Sequence, residues 1–320
     1  MDYFYNLVIK LVHKQDYMKE KLRSIRKILV RSIKGYKKDD PVKLAGTTAY
    51  FTIFAVAPIF IIIISVIGFV LEEETVRERV FQEVESLIGP QGAGFVETIV
   101  ENFRHRDQST AGTIIGILVF LIASTTFFTI LQNSLNFVWR VRAKPRSNIL
   151  KALKDRLLSF GLILSIGFVL LVMLFVDLAL AYFTVFLERY IDEYALVIIR
   201  PLNLAFSFAV LVLIFALIFK YLPDTKISWN VTWVGAIVTA LLFTAGRYII
   251  GLFLGAADIG IMYGAAGSAV IFILWVFYSS IILFFGAEIT KQYAIYYNHD
   301  ILPKDYAVKI RIQEITENED

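Results

Sequence analysis

Cysteine is missing altogether and histidine nearly so: the 320 residues hold no Cys and three His. The first absence removes disulfides, thiolate nucleophiles and cysteine-based metal sites, and with them any reading of redox compartment. The second leaves little for metal-dependent hydrolysis, which needs His and Asp ligands gathered around one or two cations. His13, His105 and His299 lie far apart, and neither His13 nor His299 sits in a His-x-His or His-x-Asp spacing. No Gly-rich Lys-Ser/Thr phosphate loop occurs, so a nucleotide-driven pump is unsupported. An intramembrane serine hydrolase would need a His or Lys partner within an apolar run, and no such run contains His. Charge is also scarce, at 19% of residues.

What is abundant is apolar surface. With 58% hydrophobic residues and a mean hydropathy of +0.67, the chain exceeds the roughly half-apolar composition of soluble domains. Six runs are long enough to cross about 30 Å of hydrocarbon, which takes roughly 20 helical residues. They fall near residues 44–71, 112–138, 157–187, 197–222, 231–254 and 265–287, the third being long enough to require tilt. Lipid offers an open backbone no hydrogen-bond partner, and runs of this length exclude barrel strands. The expected fold is therefore an all-α polytopic membrane protein, a bundle of six transmembrane helices.

Orientation follows from the placement of Lys and Arg, because short basic loops are retained inside. Residues 1–43 hold twelve, the 139–156 loop seven, the 223–230 loop Lys226 with Lys220 at its edge, and the C-terminal tail four. The opposite segments hold four in 72–111, Arg189 and Arg200 around the next, and none in the last. Residues 72–110 carry nine Asp or Glu instead, Glu72, Glu73 and Glu74 among them. Both termini are thus expected in the cytoplasm of a bacterium, with the chain multi-pass in its cytoplasmic membrane. Residues 1–43 have no continuous apolar core, so entry through the first span is expected rather than a cleaved leader.

Three domains result: a basic amphipathic segment (1–43), a membrane domain (44–290) and a cytoplasmic tail (291–320). In the outer loop (72–111), Val76, Val80, Val84, Leu87 and Ile88 recur at helical spacing before Gly89-Pro90, predicting two short helices that form a cap or a ligand-binding lid. The N-terminal segment from Tyr3 to Tyr36 alternates bases with Leu, Ile and Val, predicting a helix along the anionic inner leaflet or a plain topology anchor.

Ionisable side chains deep in a span are costly and therefore informative. Asp177 and Arg247 stand roughly 30 Å and 24 Å from the cytoplasmic starts of their runs, close enough in depth to pair. They line or gate a polar cavity, form a structural ion pair, or snorkel separately. The second run carries Thr125, Thr129, Gln132, Asn133 and Asn136 on one helical face, ending at Trp139-Arg140. That stripe serves interhelical hydrogen bonding or a substrate path. The first run contributes Thr47, Thr48, Tyr50 and Thr52, and Pro58 is expected to break it near its middle. Gly251, Gly255, Gly260, Gly264, Gly267 and Gly286 permit close helix approach in the last two spans. Lys220 and Glu288 are boundary features first and functional candidates second.

Several pieces together carry a resemblance. Ala49-Tyr50 and Ala57-Pro58 lie in the first span, Tyr221-Leu222-Pro223 precedes Trp229, and Gly235-Ala236 opens the fifth span. Tyr263-Gly264-Ala265-Ala266-Gly267-Ser268, Trp275-Val276-Phe277-Tyr278 and Gly286-Ala287-Glu288 follow. In order and spacing these resemble the YihY/BrkB family of bacterial inner-membrane proteins over residues 35–297. The resemblance implies six spans without an established catalytic mechanism, and groups the chain with candidate transport proteins and a serum-resistance factor. Similar proteins have carried the label ribonuclease BN, which the three scattered histidines do not support.

A transporter or permease for a lipid-like or amphipathic substrate is the expected function, with a non-catalytic scaffold or envelope-assembly factor as the rival. Few intramembrane carboxylates leave little for a proton relay. No cofactor or metal is indicated; membrane lipids are the expected partners, nucleic acid is not, and homo-oligomerisation stays open. No sequence repeat relates the two three-span halves.

Overall fold

The structure, a computed structural model, describes residues 2–68, 73–104, 110–144, 161, 194–256 and 262–312. Seven long helices carry most of them: α1 (Asp2–Lys38), α2 (Pro41–Gly68), α3 (Glu73–Arg104), α4 (Thr110–Val138), α5 (Tyr194–Tyr221), α6 (Trp229–Ala256) and α7 (Gly267–Tyr296). Four contain stretches long and apolar enough to span a membrane: Pro41–Ser65, Leu204–Tyr221, Trp229–Leu252 and Gly267–Tyr296. These coincide with the first, fourth, fifth and sixth expected runs. The second falls in α4, and the third, with Asp177, lies outside the described residues apart from Gly161.

Helix α7 is the hub, packing against α1, α2, α3, α4 and α6, while α2 also meets α3 and α4. Its junction with α6 is a reciprocal lock built from two Gly-x-x-x-Thr turns, Gly235 to Thr239 and Gly286 to Thr290. Thr290 sits on Gly235, where an added Cβ would meet its Oγ1 at 1.8 Å, and Thr239 sits on Gly286, where the figure is 1.9 Å. Each hydroxyl donates 2.7 Å to the carbonyl of the glycine one turn earlier in its own helix, so close approach leaves no polar atom stranded.

One expectation is revised. Helix α2 runs unbroken from Pro41 to Gly68 with Pro58 buried inside it. A proline removes one hydrogen bond, but with α3, α4 and α7 packed around it the helix has nothing better to do with its backbone than continue. Helix α1 packs on α7. From Ser24 to Tyr36 it runs antiparallel beside the end of α7: Ser24 Oγ shares a 2.8 Å hydrogen bond with the Tyr296 hydroxyl, and the Tyr36 hydroxyl donates 2.7 Å to the Ile281 carbonyl. Burial pushes the Tyr36 phenol well above its usual pKa.

The segment between α2 and α4 follows its periodicity. Helix α3 is two arms broken at Gly89, whose φ of 78° is left-handed, followed by Pro90. Val76, Val80, Val84 and Ile88 on one arm and Ala93, Val96 and Val100 on the other are buried, and Arg77 pairs with Glu101 across the arms. The hairpin packs on α2 and α7.

Candidate functional site

The polar side chains that the fold gathers are at one end of the bundle, where α1 ends, α2 begins, α4 ends, α5 turns into α6, and α7 ends. Helix α4 terminates because Arg140 adopts a left-handed φ of 58°, and the chain leaves as β1 (Val141–Ala143). The turn from Leu222 to Ser228, with the short strand β2 (Thr225–Lys226), brings Asp224 inward until it is 4% exposed. Its carboxylate accepts from Gln132 Nε2 at 3.1 Å and from Asn136 Nδ2 at 2.9 Å, while its own N–H donates 2.8 Å to Asn136 Oδ1. Gln132 and Asn136 are one helical turn apart, so one face of α4 holds the whole acid. Lys220 donates to the Ile227 carbonyl across the same turn, its ammonium 5.2 Å from the Trp229 ring centre.

A second group sits beside it. Asp39, between α1 and α2 and 1% exposed, pairs with Arg140 through Oδ1; its Oδ2 is buried and has no hydrogen-bond partner among the described residues. Arg140 also donates 3.0 Å to the Phe137 carbonyl. Glu288 on α7 is wholly buried, accepting from Lys291 at 2.5 Å and from Gln292 at 2.8 Å. Lys291 reaches the Val138 carbonyl at 2.9 Å, and the Trp139 indole N–H donates 2.8 Å to the Ala287 carbonyl. Gly35 lets α1 pass directly over this acid: an added Cβ would stand 2.2 Å from Glu288 Oε1. Asp39 thus pairs with Arg140 and Glu288 with Lys291, while Asp224 is held by two amides and Lys220 by a carbonyl, and these bonds tie α1, α2, α4, α7 and the α5–α6 turn together.

The C-terminal segment lies across these groups. Strand β3 (Leu302–Pro303) pairs antiparallel with β2, and β4 (Ala307–Lys309) with β1. The Lys304 N–H donates 2.9 Å to the Asp224 carbonyl and the Ile310 N–H donates 2.8 Å to the Arg140 carbonyl. Outside, Lys226 and Asp305 form an exposed pair at 2.6 Å, whose hydrogen bond and charge hold the Asp305 carboxyl below its ordinary pKa.

The stripe read from sequence divides here. Gln132 and Asn136 enter the cluster, whereas Thr129 and Asn133 are exposed and Thr125 is half-buried. The hydroxyls of Thr47, Thr48, Thr52 and Thr129 donate to carbonyls one turn earlier in their own helices. Tyr50 is exposed against Phe51 and Phe54. Arg247 is half-buried with its guanidinium 5.4 Å from the Tyr248 ring centre, roughly 27 Å along α6 from Trp229 and so remote from the cluster. Its pairing with Asp177 falls outside the described residues. Glu288 and Lys220, boundary features in the sequence, are central. Asp39, Arg140, Asp224 and Lys291 were missed; the one local signal was an Asp beside a proline in Asp40-Pro41 and Pro223-Asp224, where a chain turns sharply.

Comparison with known proteins gives a family and a set of relatives. The family described as "Virulence factor BrkB" matches residues 32–307. Among curated relatives, a "UPF0761 membrane protein" of Azotobacter vinelandii is 28% identical over 261 residues, covering 78% of this chain and 59% of that protein. One of Psychrobacter sp. is 23% identical over 273 residues, covering 85% and 49% respectively. One of Pseudomonas aeruginosa is 27% identical over 255 residues, covering 76% and 57%. The chain therefore spans about half to three-fifths of the length of these relatives. No solved structure matches.

Proposed function

Because the chain belongs to the virulence factor BrkB family of membrane proteins, we propose that it is a permease of the bacterial cytoplasmic membrane whose polar end is a closed cytoplasmic gate. One observation carries the reading: Asp39 and Asp224, each at most 4% exposed, are engaged by side chains on α4 or at its end, whereas the buried Glu288 is held by Lys291 and Gln292 of its own helix, with Lys291 reaching across to the Val138 carbonyl of α4. Burying ion pairs costs more desolvation than well-packed apolar side chains would, so charge is a poor adhesive where Leu or Ile would serve. It suits contacts that must separate and meet water in a second state. Asp39 Oδ2, buried without a partner among the described residues, is the weakest point of the seal.

The basic loops collect at this same end, which on the positive-inside rule faces the cytoplasm, with both termini. A lipid-like or amphipathic substrate suits a path in which the polar groups are confined to one end. Non-catalytic transport is the whole activity in this reading.

The rival reading, a membrane scaffold, draws support from a different observation. Two of the five stripe residues are spent on Asp224 and the Thr129 hydroxyl on its own backbone, as in a bundle glued for rigidity. Proteoliposomes carrying a fluorescent phospholipid, and separately carboxyfluorescein, distinguish the two. A permease moves one probe, and Arg140→Gln, which frees Asp39, changes the rate at least severalfold. A scaffold moves neither, with or without the substitution.

A further inference from the structure

We propose that residues 301–310 are a latch that holds the polar end shut, so that opening requires this strap to peel from β1 and β2. The inference rests on the gated-permease reading for its consequence in transport, but on separate contacts for its geometry. The strap does not merely lie near the cluster. Of its three main-chain bonds to these segments outside the β pairs, two end on the carbonyls of Asp224 and Arg140, the same residues whose side chains close the network, and in the third the Tyr306 carbonyl accepts from the Lys144 N–H at 2.9 Å. Peeling would release the backbone of both at once. Between those anchors, Lys304 and Ala307 close a turn (Ala307 N to Lys304 O, 2.8 Å), and Ala307 is buried.

The strap is also built to let go. The pairings are two and three residues long, far below what holds an isolated hairpin together in water. The side-chain clasp between Lys226 and Asp305 is solvent-exposed, which makes it weak and sensitive to salt. Leu302 and Val308 project outward and add little burial. By contrast, the ends of α4 and α7 beneath are fixed through Trp139, Lys291 and the α6–α7 lock. A weak cover on a firm frame separates where the cover is.

Full-length protein in lipid nanodiscs tests this directly. Lys304→Pro with Ile310→Pro deletes the two N–H donors and leaves every cluster side chain in place. Arg142→Cys with Val308→Cys does the opposite: these are register partners with exposed side chains, in a hydrogen-bonded pair whose Cα separation of about 5.5 Å suits a disulfide. The chain has no cysteine of its own to compete.

Hydrogen exchange is read in peptides covering 132–144 and 221–229, and flux is read with the fluorescent phospholipid and carboxyfluorescein. The latch requires exchange on the order of tenfold faster in the proline pair, slower in the oxidised cysteine pair, and restored by reductant. Exchange unchanged in both variants overturns it. Flux at one rate in latched, unlatched and native protein also overturns it while leaving the permease reading intact. Exchange that responds in both directions while neither probe moves in any form keeps the latch and removes the permease reading.

Discussion

Substituting Gly286 by Ala should unfold the α6–α7 junction more than any other single methyl in the last helix. The new Cβ would stand 1.9 Å from Thr239 Oγ1, 2.9 Å from its Cβ and 3.0 Å from its Cγ2. Rotating Thr239 removes only the first clash, and it breaks the 2.7 Å bond to the Gly235 carbonyl. The Cβ–Cβ distance does not change with rotation, so the helices must part by roughly 0.6–1 Å to reach ordinary carbon contact. Overpacking of this kind costs about 1–3 kcal/mol, and the lost hydrogen bond adds about 0.5–1.5 kcal/mol. A loss of about 2–4 kcal/mol is expected in reversible unfolding by SDS in mixed micelles. Two controls sharpen the assay. Gly251→Ala places its Cβ with nothing within 4 Å, so it should be neutral or slightly stabilising. Thr239→Gly should recover part of the loss when combined with Gly286→Ala, because it removes all three opposing atoms. A Gly286→Ala protein that unfolds at the native midpoint, or no earlier than Gly251→Ala, refutes the close-contact reasoning.

Asp224→Ala strips both the Gln132 and Asn136 amides of their acceptor and should destabilise by about 2–4 kcal/mol, while Asn133→Ala, on the exposed side of the same helix, should change unfolding little. Gly35→Ala pushes α1 off Glu288; limited proteolysis should then cut between residues 18 and 38 faster than in native protein, and an unchanged digestion rate would contradict the contact. The Asp305 carboxyl is depressed in the folded protein by Lys226, so its contribution is complete above the ordinary Asp pKa and fades as pH falls through the lower folded value. Exchange protection of β2 and β3 should therefore stay flat from neutral pH down to about pH 5, drop only in stronger acid, and lose that dependence in Lys226→Met.

Much of the fold was legible because the signals are local. Hydropathy needs only a window of neighbours, and the runs at 44–71, 197–222, 231–254 and 265–287 correspond to α2, α5, α6 and α7. Gly89-Pro90 announced the break in α3, since a left-handed glycine and a proline both disfavour continuing a helix. Pro58 carried the same local signal and yet α2 continues, because packing from three sides overrides one missing hydrogen bond. The Gly-x-x-x-Thr turns at 235–239 and 286–290 are visible as letters, but that each threonine seats on the other's glycine depends on the register of two helices.

The candidate site was legible only in part. Gln132 and Asn136 were recognised as polar groups that could not face lipid, and Glu288 as an acid at a boundary. Their partners were invisible because Asn136 meets Asp224 across 88 positions and Arg140 meets Asp39 across 101. A turn residue reads as solvated until the chain on either side folds it inward. By itself, the sequence determined that this protein belongs in a membrane and where four of its long apolar helices run. Both follow from the transfer free energy of short stretches between water and lipid. Only the tertiary structure decided which charges would be removed from water, because that depends on which loops close over one another, a property that no stretch of chain possesses alone.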